Sequence, residues 1–441
     1  MKLSETIRNS GVVGAGGAGF PTHIKAVSNV DYLLANGAEC EPLLHKDLEL
    51  MVHFAPRILH GMELMLSSVS AHCGIIGIKS KNQRAIDAFR PLLSNPALSI
   101  CELGDFYPSG DEYELVHNAT GRLIPPGGIP LNVGCVVNNV ETLFNISRAA
   151  DGIPVTDKIL TVTGAVKTPC TFFAPIGTSF KELIDFAGGT TTGDYMIFVS
   201  GVMMGSLTND LEQTVTKTTS GIIVLPADHL LVRRRNSSEA SKRRIGKSAC
   251  DQCSYCTELC PRYLLGYDVQ PHKVMRSLVF TASGSELWNQ YAELCCSCGL
   301  CSYYSCPEDL FPKEACDIAR RDMKAAGFKY KQTREVKVHP MKKGRMVPLK
   351  QLIRRLDLQN YDLPAPFIPK GPEPDSVSIL LKQHAGQPAT AVVSTGSTVR
   401  KGDLIATVPE DRLGANIHAT INGVVNEITE QHIMLNSGGN K

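Results

Sequence analysis

The sequence predicts a multidomain protein of α/β and α+β domains, with a cysteine-rich segment and a β-rich domain near its C-terminal end. Three observations lead to this prediction. The chain has 441 residues, which at about 150 residues per domain suggests three domains or more. Short apolar runs alternate with longer amphipathic stretches over residues 1–150, as in α/β domains. Ten of the 15 cysteines lie between Cys250 and Cys316.

Charge and hydropathy exclude two classes of protein. Lys and Arg number 45 against 43 Asp and Glu, a formal net charge of +2, whereas nucleic-acid-binding proteins gain affinity from concentrated positive charge. No apolar run approaches the roughly 20 residues that span a bilayer. Residues 1–11 lack the apolar stretch of a signal peptide. We therefore expect a cytoplasmic protein with no transmembrane segment and no nucleic-acid partner.

The first domain, predicted over 1–155, begins with a strand at 31–36 and a helix at 46–68. The helix has apolar residues at helical spacing, and Pro56 is expected to kink it. A second strand at 73–78 and a helix at 82–93 follow. This alternation predicts an α/β domain.

The remainder of the chain divides where the composition changes. Residues 156–235 carry short strands and a helix at 180–186, which predicts a small α+β domain. The basic triplets at 233–235 and 242–244 are interpreted as a solvated linker, with a docking patch as the alternative. The cysteine-rich domain is placed at 236–330 and a proline-containing linker at 331–373. Glycine-separated β-rich runs over 374–441 predict two short sheets packed face to face.

The first cysteine run has the spacing of bacterial ferredoxins. It is Cys250-x2-Cys253-x2-Cys256-x3-Cys260-Pro261, a pattern in which the fourth cysteine binds the other cluster of a pair. The two-residue gaps let a tight loop wrap three thiolates around one face of a [4Fe–4S] cube. Cysteines clustered in this way in a cytosolic chain point to metal binding rather than to disulfides.

The second run allows a crossed assignment of ligands. Starting at Cys295 reproduces the two-residue gaps, while the last gap, before Cys306, is one residue longer. Cys296 is then an extra thiol that is not expected to be a ligand, and Cys316 is expected to be structural. One predicted cluster takes Cys250, Cys253, Cys256 and Cys306, and the other takes Cys260, Cys295, Cys298 and Cys301.

Zinc is the alternative metal, because four thiolates also form the common structural zinc site. Two zinc ribbons would require paired Cys-x2-Cys knuckles separated by longer loops. Here two triplets of cysteines are each closed by a Cys-Pro pair, at Pro261 and Pro307. The spacing therefore favours two [4Fe–4S] clusters.

A glycine-rich loop lies near the beginning of the first domain. Gly14, Gly16 and Gly19 match G-x-G-x-x-G, a pattern that is weak by itself. No clear strand precedes the loop, and no acidic residue stands where a ribose would be bound, so an ordinary Rossmann turn is not expected. Bare backbone at this loop allows close approach of a phosphate or a flat ring, and Lys25 adds positive charge.

Several motifs in one order resemble a known family. The segments are GAGGAGFPTHIK at 14–25, NGAECEP at 36–42, YPSGDE at 107–112, PPGG at 125–128 and VNNVET at 137–142. They resemble the flavin-binding segments of the C subunit of Rnf electron-transport complexes and, more distantly, the flavoprotein subunit of respiratory NADH dehydrogenase. The middle segment resembles a β-grasp (SLBB) domain. The last domain resembles the barrel-sandwich hybrid that Rnf C subunits carry at the N-terminus.

The permuted domain order is similar to that of the PduS-type cobalamin reductases of propanediol-utilisation microcompartments. By this resemblance the chain contains an FMN-binding α/β domain, a β-grasp domain, a helical ferredoxin-like domain with two [4Fe–4S] clusters and a C-terminal barrel-sandwich hybrid. It implies FMN contacts at Gly14, Gly16, Gly17, Gly19, Lys25, Asn36, Glu39, Tyr107, Gly110, Asn138 and Asn139. It also places Phe20, Glu41 and Glu112 near the nicotinamide nucleotide.

Two positions depart from the dehydrogenase subunit. Ala15 stands where that family has an arginine, and Ala38 stands where it has an aspartate. For Glu41 and Glu112, a helix-capping or surface carboxylate is the alternative to a role in nucleotide binding.

The resemblance implies an NADH-dependent oxidoreductase that reduces cobalamin. Hydride donors release two electrons together and a [4Fe–4S] cluster accepts one, so FMN is the necessary adaptor between them. The implied partners are cobalamin as acceptor, an adenosyltransferase and shell proteins of a bacterial microcompartment, and the chain is expected to lie inside that compartment. The alternatives are an Rnf-type subunit that exchanges electrons with ferredoxin at the membrane, and a non-enzymatic iron–sulfur conduit.

Overall fold

A four-stranded parallel sheet forms the centre of the first domain in the computed structural model, which describes residues 2–278 and 286–438. The strand order is β3-β2-β1-β5, because the chain moves outward from β1 and later returns to its other side. The strands are β1 (Tyr32–Gly37), β2 (Cys73–Lys79), β3 (Leu98–Leu103), β4 (Phe106–Tyr107) and β5 (Cys135–Asn139). The helices are α1 (Leu3–Asn9), α2 (Thr22–Lys25), α3 (Lys46–Ser68), α4 (Gln83–Phe89), α5 (Glu112–Thr120) and α6 (Val140–Ala150).

The apolar periodicity of this domain predicts its elements closely. Helix α3 spans the predicted residues, and it is kinked at Phe54 (φ −131°), two residues before Pro56. Proline removes one backbone hydrogen bond and crowds the preceding turn, which explains the kink. The predicted helix at 82–93 ends earlier as an α-helix and continues as a short 3₁₀ turn, Arg90–Leu92, that contains Pro91.

The second domain has a five-stranded mixed sheet in the order β7-β6-β10-β8-β9. Its strands are β6 (Asp157–Gly164), β7 (Cys170–Pro175), β8 (Tyr195–Val199), β9 (Ser206–Thr208) and β10 (Gly221–Pro226). The predicted helix at 180–186 is present as α7 (Phe180–Phe186), and a capping box between Ser179 and Glu182 fixes its first turn.

The described residues of the cysteine-rich region are largely helical. Its helices are α8 (Leu230–Asn236), α9 (Glu239–Ala249), α10 (Tyr255–Glu258), α11 (Pro261–Leu264), α12 (Pro271–Ser277), α13 (Glu286–Asn289) and α14 (Pro312–Ala325). Helices α12 and α14 pack around a small apolar core that contains Met275, Cys316 and Met323. The short helices α10 and α11 each follow a predicted cluster ligand, so the local chain path is set around the cysteines.

The basic segment interpreted as a solvated linker is instead part of helices α8 and α9. Arg234 is buried: its Nη2 donates to the carbonyl oxygens of Ser302 (2.7 Å) and Leu310 (3.2 Å). Its Nη1 donates to the Asp309 carboxylate at 2.9 Å. The interpretation is wrong at this residue because the guanidinium satisfies buried carbonyl groups beside Cys301 and Cys306, which the charge pattern does not reveal.

The segment predicted as a linker, 331–373, is ordered and packs against its neighbours. It contains α15 (Lys342–Arg345), β11 (Val347–Pro348) and α16 (Leu349–Arg355). Strand β11 pairs antiparallel with β4. Leu352 and Leu356 are buried in one apolar cluster with Tyr107 and Tyr303. The segment therefore holds the first domain against the cysteine-rich region.

The C-terminal domain consists of two small sheets, as the sequence predicts. The first has the order β12-β18-β17-β14, and the second has the order β13-β15-β16. The strands are β12 (Ser376–Leu380), β13 (Thr390–Ala391), β14 (Thr398–Val399), β15 (Leu404–Thr407), β16 (Ile417–His418), β17 (Gly423–Ile428) and β18 (His432–Asn436). The residues between them form an apolar core that includes Ile379, Ile405 and Val425. Within residues 2–278 and 286–438, no helix combines the length and the apolar character that a bilayer crossing requires.

A buried lysine joins three domains. The Lys217 Nζ donates to the carbonyl oxygens of Gly11 in the first domain and Asn416 in the last, both at 2.7 Å. Its backbone N–H donates to Gln383 Oε1 at 3.0 Å. Burial lowers the pKa of Lys217 to about 7. A neutral amine has two hydrogens, which matches the two carbonyl acceptors.

We predict that Arg234→Ala lowers the free energy of unfolding by about 2–3 kcal/mol, because buried carbonyl groups lose their donor. The measurement is urea denaturation of anaerobically purified protein. Arg233→Ala is the matched control, since Arg233 is exposed in the same helix and is expected to change stability by less than about 0.5 kcal/mol. Equal effects of the two substitutions would contradict the role assigned to Arg234.

We predict a pH dependence of stability that involves Lys217. Between about pH 7 and pH 10 the unfolded chain holds this proton and the folded chain does not, so the free energy of unfolding rises with pH. The contribution is on the order of 1 kcal/mol per pH unit. Lys217→Met should flatten the rise in urea denaturation, whereas Lys167→Met, at an exposed lysine of the same domain, should leave it unchanged. Parallel pH profiles for wild type and Lys217→Met would refute this.

Candidate functional site

The main cleft lies at the carboxyl ends of β1 and β5 and has a volume of about 600 Å³. The chain leaves β1 in one direction to β2 and enters β5 on the other side. Ligands of open parallel sheets bind at such switch points. The second domain closes the cleft with Ser200, Thr218 and Ser220, and the cysteine-rich region closes it with Cys296 and Cys298.

Seven of the 14 residues predicted to bind FMN or the nucleotide line this cleft. They are Gly16, Gly17, Asn36, Glu39, Glu41, Gly110 and Asn139. The other seven lie outside its lining: Gly14, Gly19, Phe20, Lys25, Tyr107, Glu112 and Asn138. Contact of either set with a cofactor stays a prediction.

The glycine loop is a closed turn that leaves space over the cleft. The Gly14 N–H donates to the Phe20 carbonyl at 2.9 Å, and Val13 bridges Pro21. Gly17 has φ +109°, and a side chain added there would meet nothing within 4 Å. The loop follows a helix and not a strand, which confirms that it is not an ordinary Rossmann turn.

Two asparagines hold the walls of the cleft in place. The Asn36 Nδ2 donates to the Gly110 carbonyl at 2.9 Å, and the Asn139 Nδ2 donates to Asp47 Oδ2 at 2.9 Å. A side chain at Gly110 would lie 2.4 Å from the carbonyl oxygen of Ala38, so the close approach of these segments requires glycine. A glycine-lined cleft with fixed polar walls and a volume typical of ligand sites fits a flavin mononucleotide.

A buried charge network, which the sequence pattern does not reveal, lies beneath the glycine loop. Lys46 Nζ lies 2.5 Å from Asp47 Oδ1 and 3.1 Å from Glu141 Oε2, and Lys158 Nζ lies 2.5 Å from the same Glu141 oxygen. Burial opposes the charge on Lys46, yet Asp47 and Glu141 outweigh it and raise its pKa. Burial lowers the pKa of Lys158 to about 8. In the sequence, the charged residues at the start of α3 were the one feature that could have indicated this network.

Two acidic residues of the NGAECEP motif have raised pKa values. Burial, then repulsion by Asp47, raises the pKa of Glu39 to about 8. Burial raises the pKa of Glu41 to about 7. Glu41 Oε2 and Oε1 accept the N–H groups of Met203 (3.1 Å) and Met204 (2.9 Å) in the second domain. Its carboxylate therefore fixes that loop, and its place near the nicotinamide nucleotide stays a prediction.

Three of the predicted residues outside the cleft have other partners. Lys25 Nζ donates to the Val137 carbonyl at 2.8 Å. Burial lowers the pKa of Lys25, and the nearby Glu112 carboxylate opposes that shift. The Tyr107 hydroxyl donates to the Cys298 carbonyl at 2.6 Å.

Asn138 and Gly19 complete this set of outlying positions. Asn138 is buried, and its Nδ2 has no hydrogen-bond partner among the described residues. The Gly19 carbonyl accepts the N–H of Ala385 (2.9 Å), so the C-terminal domain packs on the glycine loop.

The eight predicted ligand cysteines line two small pockets, four in each. Cys250, Cys253, Cys256 and Cys306, here the first cysteine group, line one small pocket. Cys260, Cys295, Cys298 and Cys301, here the second cysteine group, line another together with Cys296. None of the fifteen cysteines is in a disulfide. Two sets of four converging thiols from crossed runs are the donor set that two [4Fe–4S] clusters require, although ligation by each residue stays a prediction.

The backbone distinguishes Cys295 from Cys296. Gln252 (φ +59°) and Ser254 (φ +65°) stand two residues after Cys250 and one after Cys253. Ser297 (φ +56°) and Gly299 (φ +81°) stand at the same offsets from Cys295 and Cys298. Because the two loops repeat one left-handed pattern, the comparison supports Cys295 as the first thiol of the second group.

Four family models match successive parts of the chain. They are described as Nuo51 FMN-binding domain (residues 7–148), SLBB domain (159–206), 4Fe-4S dicluster domain (249–311) and RnfC Barrel sandwich hybrid domain (365–441). They confirm the predicted fold class and the predicted FMN and [4Fe–4S] cofactors, and favour iron–sulfur clusters over zinc. The domain boundaries predicted from the sequence stay predictions.

Two groups of relatives match the chain, one over nearly its whole length and the other over part of it. The cobalamin reductases PduS of Citrobacter freundii and Salmonella typhimurium are 41% and 40% identical over 441 residues, 99% of this chain and 96% and 97% of theirs. In the proton-translocating ferredoxin:NAD(+) oxidoreductase complex of Clostridium ljungdahlii, the C subunit is 34% identical over 58% of this chain and 55% of its own. These matches define a flavin- and iron–sulfur-containing oxidoreductase. The chain belongs to the PduS family of cobalamin reductases.

A solved structure shares the fold. The NAD+-reducing [NiFe]-hydrogenase in the H2-reduced state aligns with a TM-score of 0.50 and 20% identity, covering 76% of this chain and 63% of that chain. This likeness concerns the fold of the chain.

We predict that Cys253→Ala and Cys298→Ala each remove one cluster and about half of the bound iron, because each substitution takes one thiolate from a different group. The measurement is iron and sulfide analysis after anaerobic purification. Cys73→Ala is the control, since Cys73 is exposed at the start of β2, away from both groups. Full iron content in either cluster variant would contradict the assignment.

Proposed function

We propose that this chain oxidises NADH in the cleft and passes the electrons one at a time, through the second and then the first cysteine group, to cobalamin. The observation that carries the proposal is the shared lining: Cys296 and Cys298 belong both to the cleft and to the pocket of the second group. In a family of cobalamin reductases, this adjacency gives the electrons a direct way out of the cleft.

The reaction balances with one hydride donor and two one-electron acceptors. NADH loses two electrons and one proton to become NAD+, and two cob(II)alamin molecules each gain one electron to become cob(I)alamin. Cob(III)alamin is reduced to cob(II)alamin in the same one-electron manner. FMN, when bound, accepts the hydride and releases its electrons singly.

The chain's own residues orient the cofactors and control charge in the cleft. Asn36 and Asn139 fix the walls, while Gly16 and Gly17 leave space for a flat ring. Burial, then repulsion by Asp47, raises the pKa of Glu39 to about 8. This shift reduces the negative charge that the carboxyl brings to the cleft near neutral pH, which favours the binding of an anionic nucleotide.

The first cysteine group is the exit from the protein. Cys253 is exposed, whereas the other three thiols of the group are buried or half-buried. A cobalamin is proposed to accept electrons at this surface. Because cob(I)alamin is the nucleophile for adenosylation, an adenosyltransferase is the proposed consumer, and the interior of a microcompartment bounded by shell proteins is the proposed location.

We predict that NADH bleaches the flavin band of anaerobic protein and reduces added cobalamin, which is followed by visible absorption. Cys298→Ala should keep flavin bleaching and lose cobalamin reduction, because the cluster that it removes follows the flavin in the proposed order of carriers. Cys73→Ala should retain both.

Three outcomes would overturn the proposal or its carrier order. Failure of NADH to bleach the flavin, with clusters intact, would favour a non-enzymatic conduit. Reduction of ferredoxin but not cobalamin, with membrane co-fractionation, would favour the Rnf-type alternative. Loss of flavin bleaching in Cys298→Ala, with flavin still bound, would contradict the order of carriers.

A further inference from the structure

Cys296 occupies the boundary between two sites. It lines the cleft, and it also lines the pocket of the second cysteine group. The cysteine spacing predicts that it is an extra thiol, and the repeated backbone pattern agrees that Cys295 takes the ligand position. A thiol that is not needed as a ligand therefore stands where electrons would leave the cleft.

Arg262 connects this thiol to the cleft wall. Its guanidinium lies near enough to the Cys296 thiol for the two groups to interact electrostatically. It also forms an ion pair with Asp111, in which Nη2 lies 2.8 Å from Oδ2. The two side chains are only 10% and 12% exposed. Asp111 lines the cleft and caps helix α5 by accepting the N–H of Tyr113.

The position of Arg262 is fixed from two further directions. The guanidinium lies 3.4 Å from the ring centroid of Tyr113 in the first domain. In the chain, Arg262 follows Cys260 by two residues, in helix α11. The side chain thus bridges the first domain and the cysteine-rich region where the second group meets the cleft.

We propose that Cys296 and Arg262 are positioning residues for the transfer of electrons from the cleft to the second cluster. Arg262 ties the cleft wall to the cluster loop and so fixes the separation that each electron crosses. Its positive charge, in a poorly hydrated place, favours the arrival of an electron at the second group. Cys296 fills the boundary between the cleft and the second group.

The transfer step needs no chemistry at Cys296 itself. One electron would pass from a flavin bound in the cleft to a cluster held by the second cysteine group, and no bond would form or break at the Cys296 sulfur, which would remain a thiol. The inference rests on the carrier order of the proposed function. It adds two residues that act through the cofactors and outside the predicted ligand set.

The test compares Cys296→Ala, Arg262→Gln and Arg262→Lys with wild type and with the control Cys73→Ala. Iron and flavin contents establish that each variant is loaded. Potentiometric titration with a chemical reductant, followed by electron paramagnetic resonance, gives the midpoint potential of each cluster. Anaerobic stopped-flow mixing with NADH gives the rate of cluster reduction after flavin bleaching.

We expect full iron and flavin in all variants. Arg262→Gln should lower the midpoint potential of the second cluster and leave that of the first unchanged, because one nearby positive charge is lost. Cluster reduction after flavin bleaching should slow about tenfold in Arg262→Gln and Cys296→Ala, the usual scale for losing an outer contact of a metal site. Arg262→Lys, which keeps the charge, should restore the potential, and Cys73→Ala should match wild type.

Several results would overturn the inference. Loss of half the iron in Cys296→Ala would make Cys296 a ligand. Wild-type potentials and wild-type transfer rates in both Cys296→Ala and Arg262→Gln would make the pair merely structural. If Arg262→Gln fails to fold, the rate of cluster reduction in Cys296→Ala still decides the matter. If NADH does not bleach the flavin of the wild-type protein, the proposed function is refuted. The chemical titration would still test the effect of Arg262 on the potential.

Discussion

The boundary between the cleft and the second cysteine group is the constraint on which the structure depends, because a protein that moves electrons must hold its carriers in fixed relative positions. Three elements far apart in the chain meet there. The Tyr107 hydroxyl holds the Cys298 carbonyl, and Arg262 pairs with Asp111. These contacts are shielded from water, and in each of them a donor that has lost its water is hydrogen-bonded to an acceptor of the protein. The boundary is therefore a set of matched polar contacts within apolar packing.

The domains outside this boundary support it. Segment 331–373 lays α16 against Tyr107 and Tyr303 and pairs β11 with β4, which fastens the first domain to the cysteine-rich region. Lys217 joins the first, second and C-terminal domains through two carbonyl oxygens. The C-terminal domain also contacts the glycine loop through the Gly19 carbonyl. A domain with no predicted ligand thus contributes by fixing a loop of the cleft.

The charges near the cleft show how burial and partners decide protonation. Lys46 and Lys158 share Glu141, yet the pKa of the first is raised and that of the second is lowered, because Asp47 adds to the attraction on Lys46. Glu39 and Glu41 stand two residues apart, and both are easier to protonate than in water. Glu41 nevertheless accepts two backbone N–H groups, so its place is structural as well as electrostatic.

The sequence by itself determined the features that depend on local spacing. Apolar periodicity located helix α3 and its kink, and two-residue gaps predicted the two cysteine groups and their crossing, because a loop around a cube is a local geometry. Only the tertiary structure decided the features that depend on distant partners. The burial of Arg234, the network under the glycine loop, the packing of 331–373 and the position of Cys296 arise from residues tens to hundreds apart. Neither spacing nor composition records which polar groups will meet once the domains pack.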